Sequence, residues 1–196
     1  VGVFFWGIAN AMAHIGSGVY GVRIPDGACS RKGRMMQSYV DMDRELNKFW
    51  QEKNQILVIE RASFSSPWTK QDFEYSIEHN SALDIIHRNG VAGYLVATPT
   101  KHGWRIANMA VREDVRRQGI GNLLIQRLVN KMLPQMIVTA IASEWNMDAH
   151  LFFRACGLRA VEVKRSHFDN GDAAYCFKKE VFRQFCGKNY RDGAKE

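Results

Sequence analysis

The run Ile106-Ala107-Asn108-Met109-Ala110-Val111 reads as a strand, and a glycine-containing turn follows it at Arg116-Arg117-Gln118-Gly119-Ile120-Gly121-Asn122. A helix is predicted to open at that turn, with Ile120, Leu124, Leu128 and Met132 on one stripe. The backbone N–H groups that start a helix have no intrahelical acceptor and carry the positive end of its dipole, so they attract anions. Glycines at 119 and 121 let the backbone approach a ligand without interference from Cβ atoms. Arg116 and Arg117 add charge at the same mouth. A plain loop-to-helix turn is the bland alternative, but the flanking strand and the paired arginines favour a phosphate site. The unit also commits the chain to an architecture in which strands pass into helices.

The kind of phosphate ligand is narrowed by what the turn lacks. A Walker loop would need Gly-Lys-Ser/Thr, which is absent. A dinucleotide fingerprint would want a third glycine at 124, where Leu124 stands, within an early βαβ unit.

Around this unit the remaining elements fall into order. Leu46, Phe49, Trp50 and Leu57 have helical spacing, and Ser65-Ser66-Pro67-Trp68 interrupts them. Thr69 with Asp72 makes a capping box for a short helix towards His79. Ala82–Arg88 and Val91–Thr98 are strands joined by Asn89-Gly90, a strong hairpin signal. Pro99–Gly103 reads as a turn before the strand Trp104–Val111. The helix over Gly119–Leu133 is closed by Pro134. A strand over Gln135–Ser143, a helix over Asp148–Cys156 capped by Gly157, and strands over Arg159–Phe168 and Ala173–Lys179 complete the series. The result is a mixed α/β sheet with antiparallel hairpins first and a crossover later.

Length and charge set the outer bounds. The 196 residues suit one domain with an extension, and 46% hydrophobic residues provide for a core. The net charge of +7 suits an anionic ligand without amounting to a nucleic-acid-binding signature. Residues 1–34 contribute disproportionately, with Arg23, Arg31, Lys32 and Arg34 against Asp26. Val1–Val22 is apolar and uncharged, but its glycines, Asn10, His14 and Ser17 argue against a membrane span, and no basic region precedes it. Residues 1–34 are therefore expected to be a poorly structured extension, and residues 35–196 the folded domain. Cys29, Cys156, Cys176 and Cys186 are widely spaced with no Cys-x-x-Cys pair, so neither zinc nor a disulfide framework is expected, and a cytoplasmic setting fits.

The pattern Arg116-x-x-Gly119-x-Gly121 after a strand resembles the acetyl-CoA signature of the GNAT acetyltransferases. A second segment, Asn146 with Ala149, Phe152, Phe153 and Gly157-Leu158, resembles that family's Asn-x-x-Ala…Tyr-x-x-x-Gly-Phe stretch. A third, Ala62-Ser63-Phe64-Ser65-Ser66-Pro67-Trp68-Thr69 followed by Phe73, resembles the substrate-side segment of the RimI-type ribosomal-protein-alanine N-acetyltransferases. The order of elements agrees from Ile56 to Lys179. The resemblance implies an α/β GNAT fold whose mixed central sheet, flanked by helices, splays between the strands that the family counts as fourth and fifth, here Trp104–Val111 and Gln135–Ser143. It implies acetyl-CoA as acetyl donor, bound by Met109, Ala110, Val111, Arg116, Arg117, Gln118, Gly119, Ile120, Gly121, Asn122 and Asn146, with no metal. Trp68 would lie on the substrate side. A cap role for Asn146 is compatible with ligand binding, and Trp68 is equally readable as a core aromatic.

The resemblance fails at the acid–base positions. Ile141 stands where the RimI-type pattern has Glu, and Phe153 where it has Tyr, so neither can move a proton. Glu144, at the end of the same strand, is the nearest replacement base, although strand parity points it to the other face. His150 and His167 are further candidates. The expected reaction is acetylation of a primary amine, foremost a peptide or protein N-terminal α-amine, with a ribosomal protein among the acceptors and neither nucleic acid nor membrane as a specific partner. Acetylation of a small amine (polyamine, amino acid or aminoglycoside) and a catalytically weak acyl-CoA-binding module are the alternatives.

Overall fold

The computed structural model describes residues 41–168 and 170–181, so the expectation for residues 1–34 lies outside the described residues. In chain order the elements are α1 (Met42–Ser63), α2 (Lys70–Glu78), β1 (Ala82–His87), β2 (Val91–Thr100), β3 (Gly103–Val111), a 3₁₀ turn (Glu113–Val115), α3 (Ile120–Asn130), β4 (Ile137–Ser143), α4 (Met147–Ala155), β5 (Arg159–Lys164) and β6 (Ala174–Glu180).

Local chemistry accounts for most boundaries. Asp41 caps α1 by accepting the Arg44 N–H. The Thr69–Asp72 capping box is present in full and opens α2. Asn89 and Gly90 both have positive φ, as the tight β1–β2 hairpin demands. Gly157, with φ of 83°, follows the end of α4. Several expected boundaries move, three of them clearly. The strand β2 runs on through Pro99 and Thr100, which pair with Trp104 and Gly103. By then β1 has ended (Ala82 faces Ala97), so the missing proline N–H falls on a two-stranded stretch. The helix α3 stops at Asn130, before Pro134, and β5 stops at Lys164, short of Phe168.

The six strands lie in the order β1-β2-β3-β4-β6-β5. Only β3 and β4 pair in parallel, joined by the crossover through α3. Two apolar layers sandwich the sheet. On one side α3 and α4 pack on Leu95, Ala97, Ile106, Met109, Val138, Ala140 and Ala142. On the other, α1 and α2 pack Phe49, Ile56, Ile59, Phe73 and Ile77 on Tyr94, Val96, Ala107 and Ala110. Strand alternation accounts for this division along β2, and along β3 on either side of one irregularity.

Two features of the register position the site. First, β3 and β4 pair only over Gly103, Trp104 and Arg105 with Ile137, Val138 and Thr139. Beyond that β3 continues to Val111 against β2, and β4 to Ser143 against β6, so the two strands splay apart. Second, the β2–β3 ladder slips: Ala97 faces Ile106, but Val96 faces Asn108, leaving Ala107 as the bulged residue.

Candidate active site

The turn that ends β3 is shaped by two left-handed residues, Arg117 (φ 61°) and Gly119 (φ 81°). Gly119 caps α3 with no side-chain hydrogen bond, so the first N–H groups of the helix are left for another acceptor. A Cβ built on Gly119 would meet nothing within 4 Å, whereas one on Gly121 would lie 2.9 Å from the Phe152 ring. The two glycines therefore serve different ends. Gly119 supplies a left-handed backbone beneath open space, and Gly121 lets α3 pack closely on α4.

The arginines diverge. Arg117 is largely exposed at the mouth, 3.6 Å from Asp148. Arg116 turns back into the fold: its Nε–H donates to the Val111 carbonyl (2.9 Å) and its Nη2 to the Ser63 hydroxyl (3.1 Å). It thereby ties the end of β3 to the end of α1. Gln118 accepts from Arg88 of the β1–β2 hairpin.

Asn146 is buried at the start of α4, where its Oδ1 accepts the Ala149 N–H (3.0 Å). Its Nδ2 is buried without a hydrogen-bond partner among the described residues. Cap and binding roles are thus compatible in one side chain: the oxygen holds the helix, and the amide nitrogen keeps a donor to offer. Among β3 residues, Met109 and Ala110 face opposite layers, and the edge of Met109–Val111 towards β4 has no strand partner among the described residues.

The acid–base candidates are engaged in structure. The Oε1 of Glu144 accepts the Ala173 N–H (2.7 Å), and its own N–H donates to the Ala173 carbonyl, locking β4 to the approach of β6. His150 donates from Nε2 to the Ser143 carbonyl (2.9 Å) and packs on Tyr175 and Phe177. Phe153 is buried against Phe177. His167 lies in the turn after β5, whose backbone N–H donates to Asp172. Trp68 is a core aromatic, 5% exposed and edge-on to Phe73. It lies in the loop between α1 and α2.

What anchors that loop escaped the sequence reading. Glu60, with no exposed surface, accepts the Trp68 N–H (2.7 Å) and the Asn108 Nδ2–H (3.0 Å) on Oε1, and the Tyr94 hydroxyl on Oε2. Burial pushes its carboxyl up to about 7, against the lowering effect of the bonds from Trp68 and Asn108. A signal was present: Glu60 sits four residues after Ile56, on the buried stripe of α1, where a carboxylate has no place unless donors meet it. Nearby, two buried polar atoms on β3, Asn108 Oδ1 and Arg105 Nε, have no hydrogen-bond partner among the described residues.

Among the described residues no group of three His, Cys, Asp or Glu is placed to hold a metal, and no helix is long and apolar enough to cross a membrane. Cys156 and Cys176 are free thiols.

Comparison with known proteins places this geometry. Residues 50–158 match the acetyltransferase (GNAT) family. A Bacillus subtilis (strain 168) protein named as a ribosomal protein bS18-alanine N-acetyltransferase is 25% identical over 126 residues, covering 61% of this chain and 83% of that one. The crystal structure of the ribosomal-protein-S18-alanine N-acetyltransferase from Escherichia coli superposes with a TM-score of 0.58 at 17% identity, over 68% of this chain and 88% of that one. Ard1 from Thermoplasma volcanium gives 0.60 at 19%, over 68% and 93%. The splayed α/β sheet is the fold these structures share, and with more than half its length matched, the chain belongs to the GNAT family and is an N-acetyltransferase.

Proposed function

We propose that the protein transfers acetyl from acetyl-CoA to the α-amine of a peptide or protein N-terminus. The observation that carries the reading is the parting of β3 and β4 after Arg105 and Thr139, directly before the uncapped start of α3. The relative named for a ribosomal protein's alanine terminus supports a protein acceptor, and a ribosomal protein is the natural first candidate.

The residues present fit the donor. Open space over Gly119, the uncapped N–H groups of Gly119–Asn122 and the charge of Arg117 would receive phosphate. The unpartnered Nδ2 of Asn146 would donate to an amide carbonyl, and the free edge of Met109–Val111 would pair with an extended arm as an added strand does. Acetyl-CoA supplies an acetyl group activated as a thioester. The chain's own part is then to hold the two reactants together and keep donors aimed at the acetyl carbonyl oxygen.

Deprotonation is where the acceptor class matters. Ile141 and Phe153 cannot take a proton, and Glu144 already accepts the Ala173 N–H. An α-amine, with a pKa of about 7.7–8.0 against about 10.4 for lysine, is far more often neutral near pH 7. A site poor in bases therefore suits an α-amine. A polyamine would want an acidic pocket, yet the α1/α2 face of β3 carries Arg105, and its carboxylate, Glu60, is saturated by three donors.

The reading is tested with acetyl-CoA and two otherwise matched peptide sets, followed by intact mass. One set has free N-termini and no lysine; the other is N-terminally blocked with a single lysine. Acetylation of the free termini is expected, and preferential acetylation of the blocked, lysine-bearing set would overturn it.

A further inference from the structure

Resting on that reading, we propose that Arg105 and Asn108 form the recognition pair for the first residue of the acceptor: Asn108 Oδ1 accepts an N–H of the amine, and Arg105 Nε–H donates to the first carbonyl oxygen. The ligand class is an amine whose neighbouring carbon bears a carbonyl, as at a peptide N-terminus.

Both residues point to the same side of the sheet, and the bulge is the reason. Trp104 and Ile106 pack in the α3/α4 layer, so Arg105 between them faces α1 and α2. In an unbroken strand a residue three positions on would face the other way. Because Ala107 is bulged out of the ladder, Asn108 pairs with Val96 and lies in the α1/α2 layer, where its Nδ2 meets Glu60. The two side chains thus stand two ladder steps apart, about 7 Å along the strand at roughly 3.3 Å per residue.

Their location is the parting of the strands. Arg105 is the last β3 residue paired with β4, and Asn108 lies just beyond, on the stretch with no β4 partner. Each holds a buried polar atom with no hydrogen-bond partner among the described residues, one a donor and one an acceptor. Such atoms are costly unless something satisfies them. Burial also lowers the pKa of the Arg105 guanidinium, a sign that its charge is poorly solvated where it stands.

Glu60 makes the assignment directional. An asparagine amide has two orientations, and Glu60 Oε1, which also takes the Trp68 N–H, accepts only from the nitrogen end. The carboxyl oxygen therefore fixes Asn108 with Oδ1 presented. Glu60 is a positioning residue here, acting through Asn108 and never touching the acceptor itself. Its other donors, Trp68 and Tyr94, brace the loop and the neighbouring strand.

The test uses the full chain with two acceptors, an alanine-initiated peptide and isopropylamine, which keeps alanine's amine carbon and methyl but has no carbonyl. The variants are Arg105→Lys, which retains charge and removes the Nε donor, and Asn108→Leu, with Glu60→Gln as the conservative partner change. Arg105→Lys is expected to raise KM for the peptide by roughly tenfold or more, the effect of losing a hydrogen bond to a charged donor. Any rate on isopropylamine should fall far less than the rate on the peptide. Asn108→Leu should impair both acceptors, and Glu60→Gln should reproduce part of that loss in KM with kcat kept. Melting temperature and calorimetric acetyl-CoA affinity should be retained in Arg105→Lys. Peptide kinetics unaffected by Arg105→Lys, equal losses on both acceptors, or a loss that tracks acetyl-CoA affinity would each overturn the pair. Failure of the wild-type protein to acetylate any peptide would instead overturn the proposed function.

Discussion

The turn at Arg116–Asn122 is made of backbone, whereas the α1/α2 face of the sheet is made of side chains carried in from α1, β2 and β3. In the turn, the groups offered to a ligand are consecutive N–H groups, and left-handed residues at 117 and 119 aim them. On that face, Glu60, Tyr94 and Asn108 are separated by 34 and 48 positions from Glu60 onward and meet only in the fold. A backbone site survives most substitutions away from its glycines. A side-chain site fails whenever one member is removed, because the others are left buried without partners.

The sharpest way to break this contrast is to delete the hub. Glu60→Ala would leave the Trp68 N–H, the Asn108 amide and the Tyr94 hydroxyl without their acceptor, so a loss of about 3–5 kcal/mol in unfolding free energy is expected. Chemical denaturation reads it. A loss below about 1 kcal/mol would mean that water or another group replaces the carboxyl.

The protonation of the hub gives the next effect. Because burial lifts the Glu60 carboxyl to about 7, the native state holds its proton more tightly than the unfolded chain. The stability this confers is fully present below the unfolded pKa of about 4.5 and is lost as pH rises through about 7. Unfolding free energy should therefore fall by about 3 kcal/mol between those limits. Glu60→Gln, which cannot titrate, should flatten that decline, and parallel pH profiles for the two proteins would argue that Glu60 is not its source.

On the backbone side, Gly119→Glu should cost about 100-fold in acetyl-CoA affinity by calorimetry, since it sets a carboxylate over the phosphate mouth and strains a left-handed residue. Its stability should change much less than that of Glu60→Ala. Unchanged affinity in a folded Gly119→Glu protein would remove the turn from the site.

The smallest effect is expected at Glu144. A positioned base contributes about 10²–10⁴-fold to rate. With Oε1 held by the Ala173 N–H, Glu144→Gln should lower kcat by less than about tenfold and leave the pH profile in place. A larger loss would restore it as the proton acceptor.

Much of the fold was legible because its signals are local. The Thr69–Asp72 box, the Asn89-Gly90 hairpin and the Gly157 cap each act within a few residues, and the structure places all three where the sequence does. The phosphate-type turn belongs to the same class, since strand, glycine and helix start are contiguous. Pro99 misled for a similarly local reason: its missing N–H matters only where a strand needs it, and the extent of β1 decides that.

By itself, then, the sequence determined the elements, the mixed sheet and the glycine turn. Those properties follow from spacing and turn chemistry that operate over one or two turns of chain. Only the tertiary structure decided that Arg116 reaches Ser63, that Glu60 gathers three donors, and that Arg105 and Asn108 share a face. The last depends on one bulged residue in a ladder, and a bulge is set by register against a neighbouring strand. No spacing in the chain records that register, because it is fixed by which apolar faces α1, α2, α3 and α4 bury together.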